Sequence, residues 1–205
     1  MKIPSQKEVW NSIAPEWYEF KNHQDPRVIE FVKRSKDNLL DLGSGTGRNF
    51  HSGMKTTIYA LDFSSEMLKY ADDNAKKLGI KIKLIQHDLN KKLPFQNDFF
   101  ERIICIATLH CIKGKTNRQK ILKEIYRVLK PNSKLLIKVW NRKSKRFGGK
   151  KEKIIRWQDK GERYYYFYTR EELEDEVKKA GFKIISIESQ RNNFESQEIV
   201  ILAKK

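Results

Sequence analysis

No apolar run in this sequence approaches the roughly 20 residues needed to cross a bilayer, and Met1-Lys2-Ile3-Pro4-Ser5 holds no apolar signal core. These two absences set the expectation of a cytoplasmic chain with no membrane partner. Cysteine is scarce as well. Cys105 and Cys111 form neither a metal-type pair nor part of a second cluster, which fits reduced thiols and gives no metal site. Acid is short relative to base: 43 Lys and Arg face 26 Asp and Glu, a formal net charge of +17 over 205 residues. Such an excess repels itself within a compact state, so it calls for a polyanionic partner or a compositional cause such as a hot habitat. The length suits one domain, 1–205, with a core of its own.

Against these absences stands one glycine-rich turn, Leu39-Leu40-Asp41-Leu42-Gly43-Ser44-Gly45-Thr46-Gly47. An apolar run that ends in an acid and breaks into alternating glycines describes a strand delivering a ligand to a loop. The next segment is expected to be a helix whose free N–H groups face that ligand. Arg48 stands where the dinucleotide fingerprint needs its third glycine, which argues against a nicotinamide or flavin site. The alternating form resembles motif I of the class I S-adenosylmethionine-dependent methyltransferases.

Two further acids follow at strand ends. Thr57–Leu61 reads as a buried strand ending at Asp62, close to the roughly 20-residue spacing at which an acid meets ribose hydroxyls in nucleoside-binding βαβ units. Ser64 or Ser65 caps the next helix, with Met67, Leu68, Ala71, Ala75 and Leu78 on its apolar face and Gly79 as its stop. Lys81–Gln86 reads as a strand nearer the sheet edge ending in His87-Asp88-Leu89, where Asp88 can take the adenine amino group or merely cap its own turn. The candidate cofactor residues are therefore Asp41, Gly43, Gly45, Gly47, Asp62, Phe63, Met67, Asp88, Leu89 and Ala107. Strand, helix, strand repeats across 38–140, which implies a parallel sheet with right-handed crossovers. The resemblance implies a Rossmann-like class I methyltransferase fold, an α/β architecture. Its mostly parallel seven-stranded sheet carries helices on both faces and ends in an antiparallel hairpin, here Lys183–Ile187 with Ile199–Lys204.

The flanks carry the substrate signals. Residues 1–35 read as a helical lid: Ser5 to Glu8 has capping-box spacing, a short helix runs to Pro15, and Asp25-Pro26 breaks the chain before a second helix at Val28–Val32. Trp10, Trp17 and Tyr18 fit either a cover over the ligand or ordinary core packing. After a helix at Asn117–Lys130 and a strand at Lys134–Trp140, residues 141–168 form an insert dense in base, with Arg142, Lys145, Arg146 and Trp157 mixing phosphate neutralisation with stacking. A capping box at Thr169 then opens the C-terminal segment 169–205.

Ile106-Ala107-Thr108-Leu109-His110-Cys111, Arg118, the Trp140 strand end, the basic insert and Arg163-Tyr164-Tyr165 together resemble the tRNA wobble-uridine carboxymethyl methyltransferases. The resemblance implies methyl transfer from S-adenosylmethionine, leaving S-adenosylhomocysteine, to the carboxylate of 5-carboxymethyluridine in the tRNA anticodon loop. It also implies a small zinc-binding activator subunit as partner. Where that family usually carries His-His, this chain has His110-Cys111, so the second histidine's role does not transfer; its N-terminal Pro-Trp-Pro appears only as Asp25-Pro26-Arg27. The Asn/Asp-Pro-Pro-aromatic motif that activates amino nitrogens is absent. A carboxylate is ionised at neutral pH and needs alignment and a cation rather than a base. Arg163 is the candidate for that grip, His110 for orienting the acceptor, Tyr164 or Tyr165 for stacking an extruded base, and Arg118 for further substrate contact. Each of these also has a structural role open to it. Two alternatives share the motifs: a small-molecule methyltransferase of the quinone or lipid kind, and a non-catalytic RNA-binding subunit.

Overall fold

The computed structural model describes residues 4–20, 23–191 and 197–205. Four of the five α-helices among the described residues start where a side chain takes an orphan amide, and the one at Lys115–Val128 starts instead at Gly114. In α1 (Gln6–Phe20), the Glu8 amide donates to Ser5 Oγ at 3.3 Å and the Ser5 amide to Glu8 Oε2 at 2.6 Å. The Asp25 carboxylate caps α2 (Pro26–Lys33), Ser64 rather than Ser65 caps α3 (Ser65–Leu78), and Thr169 with Glu172 closes a capping box on α5 (Arg170–Lys179). Pro15 does not end α1, which continues through it for another turn and carries Trp17 onto Trp10, ring centroids 5.0 Å apart. Packing of that aromatic face outweighs the one backbone bond proline removes.

Strands β1 (Leu39–Leu42), β2 (Ile58–Asp62), β3 (Ile82–Gln86), β4 (Phe100–Ile106) and β5 (Leu129–Trp140) are joined by β8 (Lys183–Arg191) and β9 (Gln197–Lys204) in one sheet of order β3-β2-β1-β4-β5-β9-β8. The first five run parallel, and β9 is antiparallel to both β5 and β8. Alternation along each central strand feeds two cores. Leu40, Tyr59, Leu61, Ile103 and Cys105 face α4 (Lys115–Val128) and α5, while Leu39, Ile58, Ala60, Ile104 and Ile106 face α2 and α3. Covered on both faces, β1, β2 and β4 read as continuous apolar runs.

Two expectations change here. No helix follows the glycine loop: residues 43–57 are turns and bends, broken by positive φ at Gly43, Gly45, Gly47 and Gly53. The basic insert carries a sheet of its own, since β6 (Glu152–Arg156) and β7 (Glu162–Tyr166) pair as a separate antiparallel hairpin. Its inner strand is buried on both sides, Tyr164 and Tyr166 toward α4 and α5, Tyr165 and Phe167 against Phe147 and Trp140. Helix α4 also ends earlier than the periodicity suggests, and β5 begins at Leu129, with Pro131 inside it and Asn132 turned to φ +64°.

Candidate active site

The sheet order reverses at β1, between β2 and β4, and a ligand crevice belongs at such a switch point outside the strand ends. A cavity of about 480 Å³ opens there. Gly43 amide donates to Leu61 O at 2.7 Å, and a Cβ on Gly43 would fall 2.3 Å from the Thr108 side chain, so only glycine lets β1 and β4 end this close together. Gly45 amide donates to Asp62 Oδ2 at 2.9 Å, and a Cβ there would meet nothing within 4 Å, because it would point into the cavity. Gly47 lies off the cavity, against the Phe50 ring.

The acids at the strand ends differ in surroundings. Asp41 is buried under the loop, not on the cavity wall, and accepts from Asn49 Nδ2 at 3.2 Å. Burial pushes its carboxyl up to about 7, against the pull of Asn49 and Arg48. Asp62 lines the cavity, and burial raises it to about 6 despite amide donors at Ser64, Gly45 and Phe63. Asp88 sits at the β3 end with Oδ1 accepting from both the amide and the side chain of Asn90, each at 2.9 Å. Phe63, Met67, Leu89 and Ala107 complete this part of the lining, Ala107 in the left-handed region at φ +57°. Ser44 Oγ, also on the wall and buried, has no hydrogen-bond partner among the described residues.

Helix α1 closes the cavity with Gln6, Trp10 and Trp17. It is tied to the hairpin: Gln6 Nε2 donates to Glu162 O at 2.8 Å, its Oε1 accepts from the Tyr164 amide at 3.1 Å, and Glu16 accepts from Trp157 Nε1 at 2.8 Å while pairing with Lys160. Gln6 in this way occupies the free edge of β7 as a strand would.

The substrate candidates fall apart into two groups. Tyr164 lines the cavity. His110 and Arg163 do not line it and instead pack near Tyr165, whose ring centroid is 5.6 Å from the His110 ring and 5.4 Å from the Arg163 guanidinium. His110 is fully buried, and burial lowers it to about 3, so the ring is neutral; its Nδ1 accepts from the Trp140 amide at 3.1 Å, which leaves the proton on Nε2. Arg163 is caged by Trp10, Trp17, Trp157 and Tyr165 and donates to Tyr165 Oη at 2.8 Å. Arg118 is buried against Tyr166 and Glu176, and Arg142 pairs with Glu172, so neither reaches the cavity. Lys145 and Arg146 are exposed on the insert. Sequence reasoning did not assign Ser44, Thr108 or Lys113 to the wall, because loop residues carry no periodicity, nor Asn117 in the first turn of α4.

Residues 33–195 match the family described as "Methyltransferase domain". The chain belongs to that methyltransferase family. A Bos taurus chain named "Probable tRNA methyltransferase 9B" is 28% identical over 153 residues, covering 73% of this chain and 32% of that one. An Arabidopsis thaliana tRNA (carboxymethyluridine(34)-5-O)-methyltransferase is 28% identical over 134 residues, covering 64% of this chain and 31% of that one. This methyltransferase thus spans about a third of the length of the tRNA-methyltransferase relatives it matches. A crystal structure of an S-adenosylmethionine-dependent methyltransferase from Clostridium acetobutylicum superposes with a TM-score of 0.73 at 19% identity, covering 95% and 98% of the two chains, and shows the same class I fold.

The cavity of the methyltransferase fits S-adenosylmethionine. The open space at Gly45, the unpartnered Ser44 Oγ and the acid Asp62 offer room, a donor and an acceptor where a nucleoside with an amino-acid tail needs them. Among the described residues no helix is long and apolar enough to cross a membrane.

A pH dependence follows from the two raised acids. Between pH 4 and 7 the folded state holds protons on Asp41 and Asp62 that the unfolded chain has lost, so ligand-free stability falls as pH rises through about 6 to 7. A cationic ligand favours the ionised acids. S-adenosylmethionine affinity is therefore expected to rise with pH from about 5.5 to 7.5, with proton release on binding. Calorimetry in two buffers of different ionisation enthalpy reads the protons directly; no release, or uptake, contradicts it.

Proposed function

We propose that this methyltransferase transfers a methyl group to the carboxylate of 5-carboxymethyluridine in the anticodon loop of tRNA, giving the methyl ester. The observation that carries the reading is the similarity to the Arabidopsis carboxymethyluridine methyltransferase, which spans 64% of this chain. The basic hairpin supports it, since Ile154 and Tyr164 line the cavity while Lys153 and Arg156 are exposed on the outer strand, where RNA phosphates would be met.

When bound, S-adenosylmethionine supplies an electrophilic methyl group on a sulfonium. Gly45, Asp62, Phe63, Met67, Asp88, Leu89 and Ala107 are the residues that would hold it. No base is required of the chain, because the acceptor is ionised at pH 7. That agrees with His110, which burial off the cavity lining holds neutral and which is no base poised near neutrality. Arg163 contributes positive potential from behind the Trp10 and Trp17 wall.

The test is methyl transfer to an anticodon stem-loop RNA carrying carboxymethyluridine, with the unmodified stem-loop as control. The assay is run with and without the small zinc-binding subunit that the resemblance implies. Transfer to the modified RNA at least tenfold above the control is the expected result. Equal transfer to both, or transfer only to extracted small molecules, removes the reading.

A further inference from the structure

Among the described residues lining the cavity, Arg48 and Lys113 are the two cations. Arg48 is half-buried beside Asp41 and is also faced by Glu198 and Asp25, so its charge is spoken for within the fold. The sheet order β3-β2-β1-β4 puts Asp88, after β3, at one end of the crevice and the loop after β4 at the other. Strands lie about 4.8 Å apart, so three steps separate those ends by roughly 14 Å. Lys113 belongs to the β4 end, with Ile112, Asn117, Ile154 and Tyr164 around it.

Its backbone is fixed while its ammonium is free to serve. The Asn117 side chain donates to Lys113 O at 3.0 Å, and Gly114 at φ +89° turns the chain into α4. The ammonium stands 6.0 Å from the Tyr164 ring centroid, and no carboxylate among the described residues pairs with it. Arg163, the residue the motif singled out for holding an anion, does not line the cavity and is 5% exposed inside its aromatic cage.

We infer that Lys113 is a substrate-binding and specificity residue: its ammonium meets the carboxylate of the acceptor base at the β4 end of the cavity. The inference rests on the proposed carboxylate acceptor. A lysine on that wall distinguishes a carboxylate from the isosteric carboxamide, because only the former pairs an opposite charge with the ammonium. It also places the acceptor beyond Thr108 and leaves the nucleoside end of the cavity, at Asp88, untouched.

The experiment compares two stem-loop RNAs that differ only in carrying carboxymethyluridine or carbamoylmethyluridine, measured for binding to wild-type protein, K113A and K113R. Wild type should bind the carboxylate RNA about tenfold more tightly than the carboxamide RNA, the scale of one exposed charge-assisted hydrogen bond. K113A should bind both alike, K113R should keep most of the preference, and K113A should raise KM for the carboxymethyl RNA with S-adenosylmethionine Kd unchanged. If K113A keeps the preference, or weakens both RNAs equally as a phosphate contact would, the assignment is overturned while the carboxylate reading stands. Wild-type protein that transfers no methyl group to the carboxymethyl RNA overturns both together.

Discussion

Asp62→Ala is expected to lower S-adenosylmethionine affinity by a hundredfold or more while the fold survives. The carboxylate lines the cavity and already anchors the loop, with Gly45 amide on Oδ2 and Ser64 amide on Oδ1, both at 2.9 Å. In the proposed reading its remaining lone pairs accept from a pair of ribose hydroxyls. Two hydrogen bonds to a charged acceptor at about 1.5–3 kcal/mol each correspond to between roughly two and four decades of affinity. Stability responds less, because two effects oppose: the amides of Gly45 and Ser64 lose their acceptor, but a carboxylate that burial had raised to about 6 no longer has to ionise inside the fold. Asp62→Asn separates the two roles. Its amide can satisfy one of the two backbone donors and must turn N–H toward the other, so affinity should fall nearly as far as in the alanine variant. Calorimetry and thermal melting read both quantities; affinity within about threefold of wild type would place the ribose elsewhere.

The reach of the sequence is clearest around this same residue. Strand ends are announced by chemistry that periodicity cannot supply, and Asp62 and Asp88 at successive strand ends were visible because each terminates an apolar or alternating run. Gly43 and Gly45 were visible too, but not the difference between them, since one serves the approach of Thr108 and the other opens space for a ligand. The absent helix after the loop was not legible. Four glycines in residues 43–57 adopt positive φ, and at Gly43 that conformation goes with the close approach of Thr108 from the end of β4. The insert defeated local reasoning more completely. Its lysines and arginines mark a solvated, phosphate-seeking surface on the outer strand, yet Arg163 is buried under Trp10 and Trp17 of α1, and Tyr164 and Tyr166 under α4 and α5. Burial imposed by a distant element leaves no local signature.

Arg118 shows the same effect and gives the largest stability prediction. The resemblance points to substrate contact, but its guanidinium lies 3.7 Å from the Tyr166 ring centroid, donates to Ile112 O at 3.3 Å and stands 3.7 Å from Glu176 Oε1. Glu176 is itself 3% exposed and accepts from Tyr168 Oη at 2.9 Å. Removing the cation strands a buried carboxylate, a change that typically costs about 3–5 kcal/mol, so Arg118→Ala should lower unfolding free energy by that amount. Burial already holds the Glu176 carboxyl above its usual value, and losing Arg118 raises it further. A raised carboxyl stabilises the fold only below its unfolded value, so the deficit of Arg118→Ala should shrink as pH falls toward about 4.5 and be full at pH 8. Arg118→Met combined with Glu176→Gln removes both charges, keeps an acceptor for Tyr168, and should recover most of the loss in urea unfolding. That double variant decides between the two roles of Arg118. Restored stability with turnover intact makes it a support for the Tyr166–Tyr168 floor of the hairpin, whereas restored stability with a raised KM for RNA returns it to the substrate.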